Sequence, residues 1–221
     1  MLRAVSRRLK HVRLGYRMKH CWSCAHDLGD SLAHFCPVCN TLQEPPSASV
    51  SHFERLGYES PQFDIDMEEL SQRFLSLQRQ LHPDRFSVKS EQEKAHSEVI
   101  SAMINESYEA LCSPVSRAQH MVVLQGGEDP LGEDMASSTD VHLLAEVMEM
   151  RERIEDLDED DTEGGTALLA ENASEIERGC EELSELLRGD SQSEPTRVAE
   201  LVVRMQYLQK IERELRDKIM F

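Results

Sequence analysis

Two amphipathic runs with a proline between them constrain this chain more than any other feature. Asp66 stands three residues before Glu69 in a capping-box pattern, and Leu70, Phe74, Leu77 and Leu81 then recur at helical spacing along one face, opposite Gln72, Arg73, Gln78, Arg79 and Gln80. Pro83 ends that run, because it has no N–H to give and biases His82 away from the α region. Ser90 with Glu93 offers a second capping signature, after which Ala95, Val99, Ala102, Met103, Ile104, Tyr108 and Leu111 sustain a second run as far as Ser113-Pro114. Two helices of comparable length joined by a polar loop of about eight residues form an antiparallel hairpin.

The rest of the chain is also helical in pattern. Of its 221 residues 39 % are apolar but only 5 % aromatic, so the cores are built from Leu, Met, Ile, Val and Ala, which favours helices over sheet sandwiches. Before the hairpin, His52, Phe53, Leu56 and Gly57 make one short helical turn, with Pro61 blocking its continuation. After it His120–Leu124 ends a short fourth helix at Gly126-Gly127. Three amphipathic helices come next: Val141, Leu144, Ala145, Met148 and 151–157; then Leu168, Leu169, Ile176, Leu183, Leu186 and Leu187, ended by Gly189; then Val198, Leu201, Val202, Met205, Leu208, Ile211 and Leu215. Short connections make them a bundle. Periodicity alone reads Leu144 and Met148 as ordinary core. Asp158–Gly165 reads as a solvated turn that lacks the ligand spacing of an EF-hand.

Charge is distributed in blocks. The formal net charge is −18, and the stretch from Glu128 to Asp190 alone holds 22 acidic and four basic residues. Such a chain repels polyphosphate and anionic lipid. Nor does any apolar run approach the roughly 20 residues a membrane helix needs, so neither nucleic acid nor membrane is expected as a partner. Residues 1–20, in contrast, carry Arg3, Arg7, Arg8, Lys10, Arg13, Arg17 and Lys19 with no acid, beside Leu2, Val5, Leu9, Val12 and Leu14. A cationic amphipathic leader of this kind predicts a mitochondrial transit peptide, and the missing apolar core excludes a secretory signal.

Cys21 and Cys24, then Cys36 and Cys39, form two C-x-x-C pairs separated by eleven residues. Each pair makes a tight turn that points both thiolates at one metal, and four soft sulfurs suit tetrahedral Zn²⁺ in a structural role. Structural zinc supplies on the order of 10–16 kcal/mol, which lets a segment with almost no core fold. His20, His26 and His34 read as loop residues rather than ligands. A thiol redox role lacks the surrounding βαβ pattern, and disulfides would need an oxidising compartment. Cys112 and Cys180 read as small buried hydrophobes. Leu42–Ser51, with two prolines and three serines, supplies a linker over 43–51.

At the predicted tip of the hairpin stands His82-Pro83-Asp84. Between Ser71 and Lys89 the basic residues Arg73, Arg79, Arg85 and Lys89 face one acid, Asp84, a local +3 island in an acidic protein. Such an island suits docking onto an acidic partner surface. Hydrolysis by His82 and Asp84 would need a pocket, a nucleophile and oxyanion donors, none of which the sequence supplies there.

The run L-S-Q-R-F-L-S-L-Q-R-Q-L-H-P-D-R-F, Leu70–Phe86, resembles the second helix and HPD loop of a J domain. Ile104-Asn105-Glu106, Ala110-Leu111 and Pro114-Val115-Ser116-Arg117-Ala118 resemble the segments C-terminal to that loop in the J-domain proteins dedicated to iron–sulfur cluster assembly, the HscB family. The four-cysteine segment is similar to that of their animal mitochondrial members. The resemblance implies an all-α protein: a zinc knuckle over 21–42, a four-helix J domain over 52–127 and a three-helix bundle over 136–221. It implies a co-chaperone and no enzyme, activating the ATPase of a heat-shock chaperone of the DnaK/HscA type through His82, Pro83, Asp84, Arg73, Arg79 and Arg85. It implies that the bundle binds the cluster scaffold protein through Leu144, Met148 and Tyr207, with Arg151 and Glu152 as polar neighbours. Met148 stands where Leu is more usual and Tyr207 where Phe is familiar. The implied place is the mitochondrial matrix, with a cytoplasmic pool and self-association left open. The rival readings are a zinc-binding thiol enzyme, which needs an open metal position or an activated thiol, and a zinc-ribbon nucleic-acid binder, which needs a basic face beyond the leader.

Overall fold

A computed structural model describes residues 20–29, 32–132, 141–158, 161–188 and 195–219. Residues 1–19 of the expected transit peptide, and Gly189 at the end of the sixth helix, lie outside the described residues. The all-α expectation holds among the described residues: α1 (His52–Arg55), α2 (Met67–Leu81), a 3₁₀ turn (Pro83–Phe86), α3 (Glu91–Cys112), α4 (Pro114–Leu124), α5 (Val141–Glu155), α6 (Thr162–Arg188) and α7 (Pro195–Ile219). Among the described residues, extended pairing is confined to two isolated bridges, His20 with Asp27 and Phe35 with Leu42.

Local chemistry sets most of these boundaries. Ser51 and Glu54 form a reciprocal capping box on α1, and Gly57, at φ 77°, turns the chain out of it. Asp66 Oδ1 accepts from the Glu68 and Glu69 amides and starts α2. Ser113 accepts from the Ser116 amide and Pro114 occupies the first position of α4, so the Ser113-Pro114 pair that closes one helix also opens the next.

The described residues form two compact units, one within 20–48 and 80–102, the other within 49–79 and 103–219. In the first, Cys21, Cys36, Leu42, Leu81, Phe86 and Ile100 are buried. The carbonyl of Leu81 accepts a 2.7 Å hydrogen bond from the buried Ser97 hydroxyl.

In the second unit, Phe74 stacks on Tyr108 at 4.1 Å between ring centroids and Gln78 Nε2 donates to Asn105 Oδ1 at 2.6 Å. As residue numbers rise on α2 their partners' fall on α3, so the two helices run antiparallel as the hairpin predicts. Phe53, Leu56, Leu70, Ile104 and Leu111 are fully buried beneath them, each worth roughly 1.5–3 kcal/mol relative to exposure. In the bundle, Val147, Ile154, Leu168, Ile211 and Leu215 form one core cluster from α5, α6 and α7. Asp64 accepts hydrogen bonds from Ser184 at 3.0 Å and Arg188 at 2.6 Å, tying the segment before α2 to α6.

The turn expected over Asp158–Gly165 is corrected by the structure. Asp161 caps α6 through the Gly164 amide, and helix begins at Thr162. A Cβ on Gly165 would lie 2.7 Å from Ile219 Cγ1, so the glycine serves close helix packing.

Candidate functional site

The HPD corner arises directly from its three residues. His82 is extended, with φ −59° and ψ 133°, as a residue before proline must be, and Pro83 opens the 3₁₀ turn. His82 Nδ1 accepts the Asp84 amide at 3.3 Å, which places the proton of a neutral ring on Nε2. The Arg85 amide returns to the His82 carbonyl at 3.0 Å, and buried Phe86 anchors the turn. The Asp84 carboxylate lies 3.5 Å from His82 Nδ1 and its side chain is 90 % exposed.

Of the basic residues, Arg79 is exposed in the last turn of α2, where a cation complements the helix dipole, and Arg85 is exposed in the 3₁₀ turn. Arg73 is placed differently. Its guanidinium pairs with Glu69 at 2.7 Å, donates to the carbonyls of Gly57 and Leu56, and stacks over Tyr58 at 4.5 Å. It fastens α1 to α2 while remaining about one-third exposed.

The cysteine segment is built as a repeat with a fifteen-residue offset. Cys21 N–H donates to the His26 carbonyl as Cys36 N–H does to Thr41, and the Ala25 amide returns to Cys21 as the Asn40 amide does to Cys36. Ala25 and Asn40 both take positive φ, 58° and 55°, to close the knuckles. Cys21 and Cys39 sulfurs are 3.5 Å apart, Cys24 and Cys36 sulfurs 3.7 Å, and all four lie within 4.8 Å of one another. A tetrahedron with metal–sulfur bonds of about 2.3 Å has edges near 3.8 Å, so the donor set fits one such ion. The Thr41 hydroxyl, 3.2 Å away, and its amide hold Cys39 down at about 6. Against the His26 amide, which favours its thiolate, Cys24 is pushed up to about 12 by desolvation and the surrounding thiols. A divalent cation bound there would supply the charge that lets all four sulfurs ionise. Four protein sulfurs would fill the coordination of a tetrahedral ion held there. His34 lies half-buried, and desolvation lowers its pKa.

On α5 the structure separates two apolar faces. Val147 and Ile154 point into the bundle core, while Val141, Leu144 and Met148, at i, i+3 and i+7, are 77, 40 and 63 % exposed. The core reading that periodicity gives for Leu144 and Met148 is therefore overturned. Val141, which sequence reasoning counted only as a helix former, extends the same exposed face. Tyr207 is half-buried on α7 against the core cluster, with Lys210 Nζ 5.4 Å from its ring. Arg151 pairs with Glu214 at 2.8 Å, a bond that raises the Arg151 pKa and ties α5 to α7; Glu152 is exposed. Cys112 and Cys180 are half-buried, and burial pushes the Cys180 thiol up.

Sequence reasoning also missed the contacts of Trp22, Glu93 and Ser97, because each pairs with a residue distant in the chain. No described helix is long and apolar enough to cross a membrane.

Residues 139–216 match the family model described as the HSCB C-terminal oligomerisation domain. A mouse (Mus musculus) protein described as iron–sulfur cluster co-chaperone protein HscB is 31 % identical over 199 residues, covering 89 % of this chain and 81 % of its own length. A co-chaperone protein HscB homolog of the bacterium Shewanella woodyi is 32 % identical over 168 residues, covering 75 % of this chain and 95 % of its own. The crystal structure of human co-chaperone protein HscB superimposes with a TM-score of 0.80 at 27 % identity, covering 92 % of this chain and 100 % of the human one.

Proposed function

This chain belongs to the HscB family of iron–sulfur cluster co-chaperones, and from that premise we propose that it is an adaptor that delivers a cluster scaffold protein to a heat-shock chaperone of the DnaK/HscA type and triggers that chaperone's ATP hydrolysis. The observation that carries this reading is the corner itself: an Asp84 carboxylate 90 % exposed on a turn held rigid by His82, Pro83 and Phe86. In it Asp84 pairs with an arginine of the chaperone, His82 and Pro83 fix the turn, and Arg79 and Arg85 meet an acidic cleft. Arg73 adds to that cationic face while pinning α1. Charge complementarity of this kind sets encounter rate and register more than affinity.

The scaffold protein docks on the exposed α5 face, where Leu144 and Met148 supply apolar contact beside Tyr207, with Arg151 and Glu152 at the rim. Knuckle 21–42, J domain 52–127 and bundle 136–221, with a linker over 43–51, divide the work. Cys21, Cys24, Cys36 and Cys39 hold one structural Zn²⁺, and residues 1–20 direct the protein to the mitochondrial matrix. Holding client and chaperone on one molecule makes their meeting nearly intramolecular and raises effective concentration. The chain itself makes and breaks no bond.

The adaptor reading is tested by titrating the scaffold protein into the chaperone at a fixed, sub-saturating level of this protein. ATP turnover rises more than the sum of the two separate effects if one molecule bridges both partners. Strictly additive stimulation refutes the bridge.

A further inference from the structure

We propose that the tetracysteine knuckle is a positioning element of the HPD corner, so that closing its four sulfurs around a divalent cation sets how Asp84 is presented. The contacts run in sequence through one compact unit. Trp22 lies between Cys21 and Cys24, inside the first knuckle, and its indole N–H donates to the Leu42 carbonyl at 2.8 Å. Leu42 is fully buried, and its amide donates at 3.4 Å to Glu93 Oε1. Glu93 belongs to the cap of α3: its other oxygen, Oε2, accepts from the hydroxyl of the capping Ser90, whose oxygen in turn accepts the Glu93 amide. The Trp22 ring also meets His96 edge-on, 6.2 Å between centroids at 89°. The knuckle therefore grips the first two turns of α3 at two points, a hydrogen bond to the cap and a ring contact one turn on.

Ser97, next to His96, carries that grip to the corner. Its fully buried hydroxyl donates at 2.7 Å to the carbonyl of Leu81, the last residue of α2 and the one immediately before His82. That carbonyl has no helical donor, because the Arg85 amide is turned back to His82. Ser97 thus satisfies a group that the HPD turn orphans and fixes the direction in which α2 ends. Gln43, donating to Cys21 Sγ at 3.4 Å and to the Thr41 carbonyl at 2.7 Å, closes the other side of the knuckle beside Leu42. With no apolar core of its own the knuckle depends on its metal for shape. Losing the ion releases Leu42 and Trp22 from α3 and slackens the support behind Asp84.

The inference rests on the chaperone-activating reading of the corner only for its consequence, so its test has a structural readout and a functional one. The full chain is compared loaded with Zn²⁺, stripped by a chelator, and reloaded. Amide exchange is followed at Arg85 and Lys89, whose N–H groups bond the His82 and Phe86 carbonyls. In parallel, the concentration giving half-maximal stimulation of the chaperone ATPase is measured. Stripping should speed exchange at both amides and raise the half-maximal concentration, each by roughly fivefold or more, with α6 and α7 amides unchanged. Zn²⁺ re-addition should restore both. Trp22→Ala, which keeps all four ligands, should show the stripped behaviour with metal still bound, and Zn²⁺ should not rescue it; Ser97→Ala should do the same. Unchanged exchange at Arg85 and Lys89 on stripping, or a zinc-loaded Trp22→Ala protein that behaves as wild type, overturns the proposal. Exchange that tracks the metal while no form stimulates the ATPase upholds the positioning role and refutes the chaperone-activating reading instead.

Discussion

Arg117 Nη1 donates a 2.6 Å hydrogen bond to the carbonyl of Phe63, fifty-four residues away in the chain. The same guanidinium donates twice to the Leu111 carbonyl, at 2.9 and 2.6 Å, and is only 5 % exposed. The Leu111 carbonyl is orphaned where Pro114 interrupts the helix, so one side chain satisfies the end of α3 and the connector before α2 together. Arg117→Met should leave both carbonyls buried without donors and cost about 2–4 kcal/mol. Urea denaturation reads this as a lower midpoint at unchanged slope; an unchanged midpoint contradicts the assignment.

A second prediction concerns pH. His120 Nε2 accepts the His52 amide at 3.2 Å, its ring is 4.4 Å from that of His52, and it stacks on Phe53. Burial, then the neighbouring His52 and Arg55, holds His120 down at about 4, and burial with Arg55 also lowers His52 despite Glu106. An unfolded histidine titrates near 6.5, so between roughly pH 6.5 and 4 the unfolded chain binds the extra proton and stability falls as pH falls. Below about pH 4 the loss is complete. With both rings only partly buried, the expected loss is about 1–2 kcal/mol after allowance for solvent screening. Melting temperature measured across this range should fall less for His120→Gln than for wild type; parallel curves contradict the account.

The exposed face of α5 predicts a separation of binding from stability. Leu144→Ala with Met148→Ala should change folding stability by no more than about 0.5 kcal/mol per site, because neither side chain leaves a core cavity. Scaffold affinity should fall by roughly tenfold or more. Tyr207→Ala should lower both, since its ring packs on the core cluster. A double variant that melts early with normal scaffold affinity refutes the surface role.

Helix positions and caps were legible in the sequence because their causes are local. Asp66 caps α2 and Ser90 with Glu93 caps α3 as the spacing predicts. Gly164 and Gly165 look like a turn by propensity, yet the Asp161 cap at Gly164 and the packing of Gly165 against Ile219 override propensity and make them helical. The faces of α5 were not legible either. Periodicity places Val147 and Ile154 on one stripe and Val141, Leu144 and Met148 on another, but only the partner helices decide which stripe is the core. The knuckle's ligands were legible from spacing, whereas Trp22 with His96 and Ser97 with Leu81 are pairings between distant segments that leave no local signal. Leu42 reads as the first residue of a linker and is fully buried.

Metal removal supplies a fourth prediction. In the zinc-loaded protein the thiols of Cys21, Cys24, Cys36 and Cys39 should resist maleimide labelling, and a chelator should expose all four. Cys112 and Cys180, half-buried and outside the cluster, should label at the same rate in both forms. Labelling of the four knuckle thiols at a free-thiol rate in the loaded protein contradicts the tetrathiolate site.

The most direct test of the whole account is single-turnover ATP hydrolysis by a DnaK/HscA-type chaperone mixed with this protein or with its Asp84→Asn variant. The substitution removes one exposed charge and touches no core contact, so helicity and melting temperature should match wild type. The account predicts accelerated hydrolysis with wild type and none with Asp84→Asn; equal acceleration by both proteins contradicts it.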